Sequence, residues 1–527
     1  MQTKKKIASV LALALLAALL AVGAATAAPG DAADPTMADT AKLRKAVEPA
    51  SILVHERRFQ RIADDNPNAQ GVGTRASGTP GYKASADYVA GKLRKAGYEV
   101  SRQTFEFPFF EELEPAELQQ VSPAQKDYET ATYEYSGDGD VTGRLVPTKD
   151  VQIPPGPTAG SSNSGCQPED FVPASTTEDQ VALIQRGGCD FSVKAANAEA
   201  AGYDAAIIFN EGQEGRTEVF EGTLGSPDFG IPVVGASFAT GQELFAATQD
   251  GDEVVVRVFA STASEPRKTQ NVIADTPGGR ADRTVVVGAH LDSVLEGPGI
   301  NDNGSGTSTI LEVALQMSEL GIRPENRVRF AFWGAEESGL LGSEHYVENL
   351  PQRRLGQIAL NLNFDMLGSP NYVRFVYDGD GSDTPDDVRI PAGSAKIERV
   401  FNRYFAAKGL ETEATEFDGR SDYGPFIAEG IPAGGLFTGA EGIKTEEQAE
   451  TYGGTAGEQY DPCYHEACDD ISNLSVEALN EMSDGVAHAT LTYAEDREVL
   501  VGPSSTRTST PSASGVYEEF KGHHALR

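Results

Sequence analysis

The sequence predicts an α/β chain: a mixed sheet sandwiched by helices, interrupted by an inserted β-rich module. Three observations predict it. From residue 271 to about 501, apolar runs of buried-strand length alternate with stretches of helical period. Residues 130–165 are rich in Gly, Pro, Ser and Asp with little periodicity, which marks a boundary. Residues 166–258 then carry strand runs of their own.

The elements follow in chain order. Lys4-Lys5-Lys6, an apolar run of Ala, Leu and Val, and the small residues Ala25-Thr26-Ala27-Ala28 before Pro29 describe a secretory signal peptide over 1–28. Residues 29–50 are small, polar and acidic and read as a leader or propeptide. The first part of the main domain, 51–130, has the glycine turn Ser77-Gly78-Thr79-Pro80-Gly81, a helical stretch through Tyr88, Val89 and Leu93, and a strand at 98–100. The inserted module with flanking linkers spans 131–262; it holds buried-strand runs at 181–184 and 205–209 and a helix at 193–201 closed by Gly202. The second part, 263–501, places strands at 285–289, 327–333 and 358–364 and helices at 308–320 and 340–349. Residues 502–527, Ser/Thr/Pro-rich and then polar, read as a flexible tail.

Composition narrows the function. The 527 residues carry 43 Lys+Arg against 79 Asp+Glu, a net charge of −36. That balance argues against nucleic acid, whose phosphates need clustered cations, and against an anionic membrane surface. No later run of about 20 apolar residues follows the leading segment. The expected product is a soluble, exported monomer. Four cysteines, an even number in an exported chain, suggest two disulfides. Of three possible connectivities, proximity favours Cys166–Cys189 and Cys463–Cys468.

Metal-type residues recur where the apolar strands end. The first ends in His290-Leu291-Asp292, where alternation puts His290 and Asp292 on one face. A glycine-rich loop then leads to Asp302, just before a helix. The second strand runs into Gly334-Ala335-Glu336-Glu337 and the third into Asp365. In open α/β sheets, ligands bind at the carboxyl ends of strands. His465 lies in a loop that Cys463 and Cys468 would staple. Taken singly, each has a bland explanation: a satisfied His–Asp pair, acids at a helix start, a turn cap. Their shared position is what points to chemistry.

The chain resembles the secreted dinuclear zinc aminopeptidases of the bacterial leucyl aminopeptidase family. Across 271–500 the resemblance is carried by His290-Leu291-Asp292-Ser293, Gly299-Ile300-Asn301-Asp302-Asn303-Gly304-Ser305-Gly306, Trp333-Gly334-Ala335-Glu336-Glu337, Asn363-Phe364-Asp365-Met366-Leu367-Gly368 and Cys463-Tyr464-His465. The string Leu183-Ile184-Gln185-Arg186-Gly187-Gly188-Cys189-Asp190-Phe191 resembles the protease-associated domain, a non-catalytic insertion. The resemblance implies a zinc-exopeptidase fold and two zinc ions per chain. One would be held by His290 and Asp365, the other by Glu337 and His465, with Asp302 bridging both. It implies Asp292 orienting the His290 ring, Glu336 as general base, Tyr464 as donor to the developing oxyanion, and Arg420 and Phe437 positioning substrate. Relatives often have His where this chain has Tyr423, so Tyr423 receives no role.

The implied substrate is a peptide with a free N-terminus, with a preference for large apolar residues such as Leu. The chemistry is coherent: an amide is a poor electrophile and water a poor nucleophile, and two metals help both. Two alternatives share the residues: a carboxypeptidase or other amidohydrolase of the same clan, or a non-catalytic, receptor-like relative such as the transferrin receptor. Retention of all five ligand positions and the base favours an enzyme. The scarcity of Arg and Lys near the motifs favours the amino-terminal end. Neither His-Glu-x-x-His nor Gly-x-Ser-x-Gly occurs.

Overall fold

The computed structural model describes residues 37–250, 253–384 and 389–498. The expected signal peptide, the start of the expected leader and the expected tail lie outside the described residues.

Alternating side chains on parallel strands need a covering layer on each face, and the sequence supplies two. On the strand Arg280–His290, Val285 and Val287 face one core while Val286 faces another. On Asn326–Trp333, Phe330 and Phe332 join the first core, and Ala331 and Trp333 the second. The larger core is closed by the helices Pro80–Lys95, Gly306–Glu319 and Val476–Glu495, the smaller by Leu341–Glu348 and Gly424–Ala428. Asn326–Trp333, Arg280–His290, Ile358–Phe364 and Ala433–Phe437 are neighbours in parallel register, so their carboxyl ends share one edge of the sheet.

The inserted module is built the same way. Gly139–Pro147, Gln180–Gln185, Ala205–Phe209 and Val233–Ala236 lie side by side, with the helices Phe191–Ala200 and Phe238–Gln249 alongside. Both proximity-favoured disulfides form: Cys166 to Cys189 here, and Cys463 to Cys468 beside the sheet edge.

The junction differs from a pair of loop linkers. Glu99–Ser122 and Val255–Asp275 run antiparallel from Glu99 opposite Asp275 to Ser122 opposite Val255. One end of Val255–Asp275 pairs with Asn326–Trp333 and the other with Gly139–Pro147, so one sheet passes through both parts. At ~3.3 Å per residue this ribbon is about 70 Å long. The reading of only 98–100 as strand missed it because the acidic run 111–117 hides the alternation. Part of the expected leader also belongs to the folded body. The helix Met37–Ala46 buries Leu43, Val47 is buried just beyond its end, and Thr40 Oγ1 shares a 2.8 Å hydrogen bond with His488 Nδ1. The i, i+4 spacing of Leu43 and Val47 is the physical reason: it gives an otherwise polar segment one apolar stripe.

Candidate active site

Parallel register does the first part of the assembly. Trp333 lies opposite His290, and Phe364 lies opposite Leu436, so His290, the turn after Trp333, Asp365 and Phe437 all reach the same edge. The backbone there takes conformations that L residues rarely adopt. Ala335, Met366 and His465 have φ of 55°, 52° and 59°, each at or beside a candidate side chain. The early glycine turn braces one of them: the Ala335 amide donates to Ser77 Oγ at 2.7 Å.

Asp302 sits at the centre. Its Oδ1 lies 3.2 Å from His290 Nε2, and its Oδ2 lies 3.3 Å from His465 Nε2. His290 Nε2 is also 3.2 Å from Asp365 Oδ1, and His465 Nε2 is 3.1 Å from Glu337 Oε2. One carboxylate therefore faces two His–carboxylate pairs with opposite oxygens. Glu336 Oε2 lies 3.9 Å from His290 Nε2. Residues separated by 175 positions, from His290 to His465, thus meet at one point.

The remaining sequence candidates lie around this centre. Asp292 is beside His290, but the ring Nδ1 is nearer the Asp292 main-chain oxygen, at 3.2 Å, than its carboxylate, at 3.8 Å. The Tyr464 ring stacks on His465 with centroids 3.9 Å apart, and its hydroxyl accepts a 3.3 Å hydrogen bond from Arg420 Nη2. Arg420 Nη1 is held by Glu441 at 2.7 Å. Phe437 is half-buried at its strand end and stacks on Phe375. Tyr423 is buried; its hydroxyl donates to Asp418 and accepts from the Gly419 amide, which braces the loop carrying Arg420.

The electrostatics call for a cation. Asp292, Asp302, Glu336, Glu337 and Asp365 set five carboxylates against two imidazoles, and all but His465 are at most about 12 % exposed. Buried charge in such excess is stable only when paired or bound to metal. Burial lowers the His290 pKa, but Asp365 and Glu336 outweigh it and raise it well above the usual value. Burial likewise acts downward on His465, and Glu337 and Asp302 bring it up to about 11. Burial pushes Glu336 well above the usual carboxylate range, with Glu337 and Asp365 adding to the push. Glu337 Oε1 is buried with no hydrogen-bond partner. Nitrogen and oxygen donors without thiolates, three or more within 4.8 Å of one another, suit a divalent ion of the zinc, manganese or cobalt type.

Three supporting residues escaped the sequence reading. Ser421 Oγ donates to Asp365 Oδ2 at 2.5 Å. Asp469 accepts the amides of Asn301 and Asp302 at 2.8 and 2.9 Å, which fixes Asp302 in place. Arg75, fully buried, donates to the carbonyls of Leu291, Pro298 and Gly299, clamping the loop between His290 and Asp302. Ser421 adjoins Arg420 and Asp469 adjoins Cys468, so proximity to motifs was their only signal.

Comparison with known proteins agrees with this architecture. The family model described as peptidase family M28 matches residues 271–490, and the PA domain model matches residues 141–244. An aminopeptidase of Pseudomonas aeruginosa is 45% identical over 459 residues, covering 85% of this chain and 81% of its own. Leucine aminopeptidase 2 of Arthroderma otae is 36% identical and covers 92% of each chain. Among solved structures, a zinc aminopeptidase from Bacillus subtilis superposes with a TM-score of 0.55 at 26% identity, covering 86% of this chain and 97% of its own. With its strand-end carboxylates and imidazoles gathered on one sheet edge and a second module threaded through the same sheet, this chain belongs to peptidase family M28, with a PA domain inserted in the peptidase fold.

Proposed function

We propose that the chain is a secreted, monomeric, zinc-dependent aminopeptidase that removes N-terminal residues from peptides and prefers large apolar ones such as Leu. The observation that carries the reading is the single Asp302 carboxylate set between His290 with Asp365 on one side and His465 with Glu337 on the other. Those five residues would hold two zinc ions. Zinc, when bound, supplies Lewis acidity toward the scissile carbonyl and makes water easier to deprotonate.

The rest falls to the chain's own groups. Glu336 borders the ligand cluster without sharing Asp302, which suits a base that takes a proton from the attacking water and returns one to the departing amine. Burial and the carboxylates of Asp302 and Glu337 push the Tyr464 hydroxyl well above its ordinary pKa. It therefore keeps its proton, accepts from Arg420, and is free to donate to an oxyanion. The acidic centre favours a cationic amine at the substrate's end. Arg420 is offset by Glu441, so it offers little to a substrate carboxylate, which supports the aminopeptidase over a carboxypeptidase. The half-buried Phe437 and the leucine aminopeptidase relative support an apolar first residue. Two disulfides suit an oxidising compartment, and among the described residues no helix is long and apolar enough to cross a membrane.

The test is Glu336→Gln in zinc-loaded protein. Hydrolysis of leucine p-nitroanilide is expected to fall at least a hundredfold, within the range for loss of a general base, while metal analysis still finds two zinc ions. Near-normal turnover would remove Glu336 from its role. Cleavage of an N-acetylated peptide as fast as the free one would remove the aminopeptidase reading.

A further inference from the structure

The centre opens on a cavity of about 890 Å³ that one residue does not need. It starts at Glu337 and His465, passes the loop 292–296, runs along 107–112 of the ribbon, and ends against 130–135 and 221–223 of the inserted module. Pockets for whole drug-sized ligands span roughly 300–1,000 Å³. An enzyme that removes one residue needs room for a single side chain before the cut bond, so a space of this size suits several residues after it.

Apart from His465 at the metal end, the charged groups of the lining are acidic. Glu111, Glu112, Glu134, Glu221 and Glu296 reach it from both parts of the chain, and no Lys or Arg lines it. Among the described residues, none of the five forms an ion pair with a Lys, Arg or His. Glu134 of the inserted module and Glu296 of the peptidase loop repel one another across the space. A buried acceptor in the same wall, Asp292 Oδ2, also has no hydrogen-bond partner. The side chain that carries it is only 1 % exposed. Phe107 and Phe109 add apolar area, and the face of Phe109 already carries a cation, the Arg267 guanidinium 3.6 Å from its centroid.

We propose that this cavity binds the peptide segment following the cleaved bond, and that Glu134 and Glu221 of the PA domain, with Glu296, select segments carrying Lys or Arg. The proposal rests on the aminopeptidase reading and gives the inserted domain a part in substrate choice.

The experiment compares Leu-Ala-Lys-Ala with Leu-Ala-Ala-Ala in the zinc-loaded enzyme. At low salt the Lys peptide is expected to show a KM about fivefold lower, the size that two or three solvent-facing ion pairs supply. The difference should vanish near 1 M salt, where screening reaches roughly 3 Å. In Glu134→Gln/Glu221→Gln the ratio of the two KM values should fall towards one. Fluorescence titration of both peptides against Glu336→Gln reads the same preference as binding, without turnover. Equal affinity for the two peptides, or a preference untouched by salt and by the double substitution, overturns the proposal. Failure of the parent reading looks different: the wild type leaves leucine p-nitroanilide intact while binding still discriminates the peptides.

Discussion

Replacing Cys463 and Cys468 together by Ser tests how the fold holds its most exposed candidate ligand. His465 is 33 % exposed, sits at φ 59°, and belongs to a loop closed by cysteines five positions apart. Closing a loop of about six residues removes about 7 cal/mol/K of chain entropy, worth about 2 kcal/mol at 25 °C. Should all of that ordering instead fall on metal binding, affinity at the Glu337–His465 side would drop about 30- to 40-fold. Part of the order survives the change. The Tyr464 amide still donates to Asp461, the Glu466 amide to the Cys463 carbonyl, and the Tyr464 ring still covers His465. A five- to twentyfold loss is therefore the expectation. The assay is zinc titration against a competing chelator, which resolves two binding steps. The step assigned to His290 and Asp365 should stay within twofold. If both steps are unchanged in the double variant, the staple has no role in presenting His465, and the reasoning fails.

Two further predictions concern supporting groups. Ser421→Ala removes the hydroxyl that donates to Asp365 Oδ2; outer-shell partners of metal ligands are typically worth 10- to 100-fold, so zinc affinity or kcat/KM should fall at least tenfold with circular dichroism unchanged. His488 gives a pH dependence: burial and Arg44 lower its pKa to about 4, whereas the unfolded chain takes up that proton below about pH 6.5. The neutral ring's contribution, about 3 kcal/mol, is complete above that pH and is lost as pH falls from about 6.5 to about 4. Amide protection factors in Met37–Ala46, which packs on His488 through Thr40, should fall across that window once the intrinsic exchange rate at each pH is allowed for; equal protection factors at pH 7 and pH 4.5 would refute it.

Much of the site is legible in the sequence because its chemistry sits at the ends of locally encoded elements. The run Ile358–Phe364 has the period and length of a buried strand, so Asp365 must emerge where it ends. The same holds for His290 after its valines and for Glu336 and Glu337 after Trp333. Two cysteines five apart announce a rigid loop around His465. Such signals depend on nearest neighbours and need no knowledge of distant chain.

Tertiary structure decided what those signals cannot carry. Only parallel register and a crossing chain bring His465 to the opposite oxygen of Asp302 from His290. Arg75, a cation some 216 to 224 positions from the carbonyls it clamps, has no periodicity to reveal it, because its hydrogen bonds are to backbone that any residue would present. The ribbon of Glu99–Ser122 and Val255–Asp275 was hidden for a different reason: the alternation that Phe105, Phe107 and Phe109 begin is interrupted by the acidic run 111–117, part of which lines the cavity. Local pattern determines which residues leave each strand; long-range packing determines which of them share a charge.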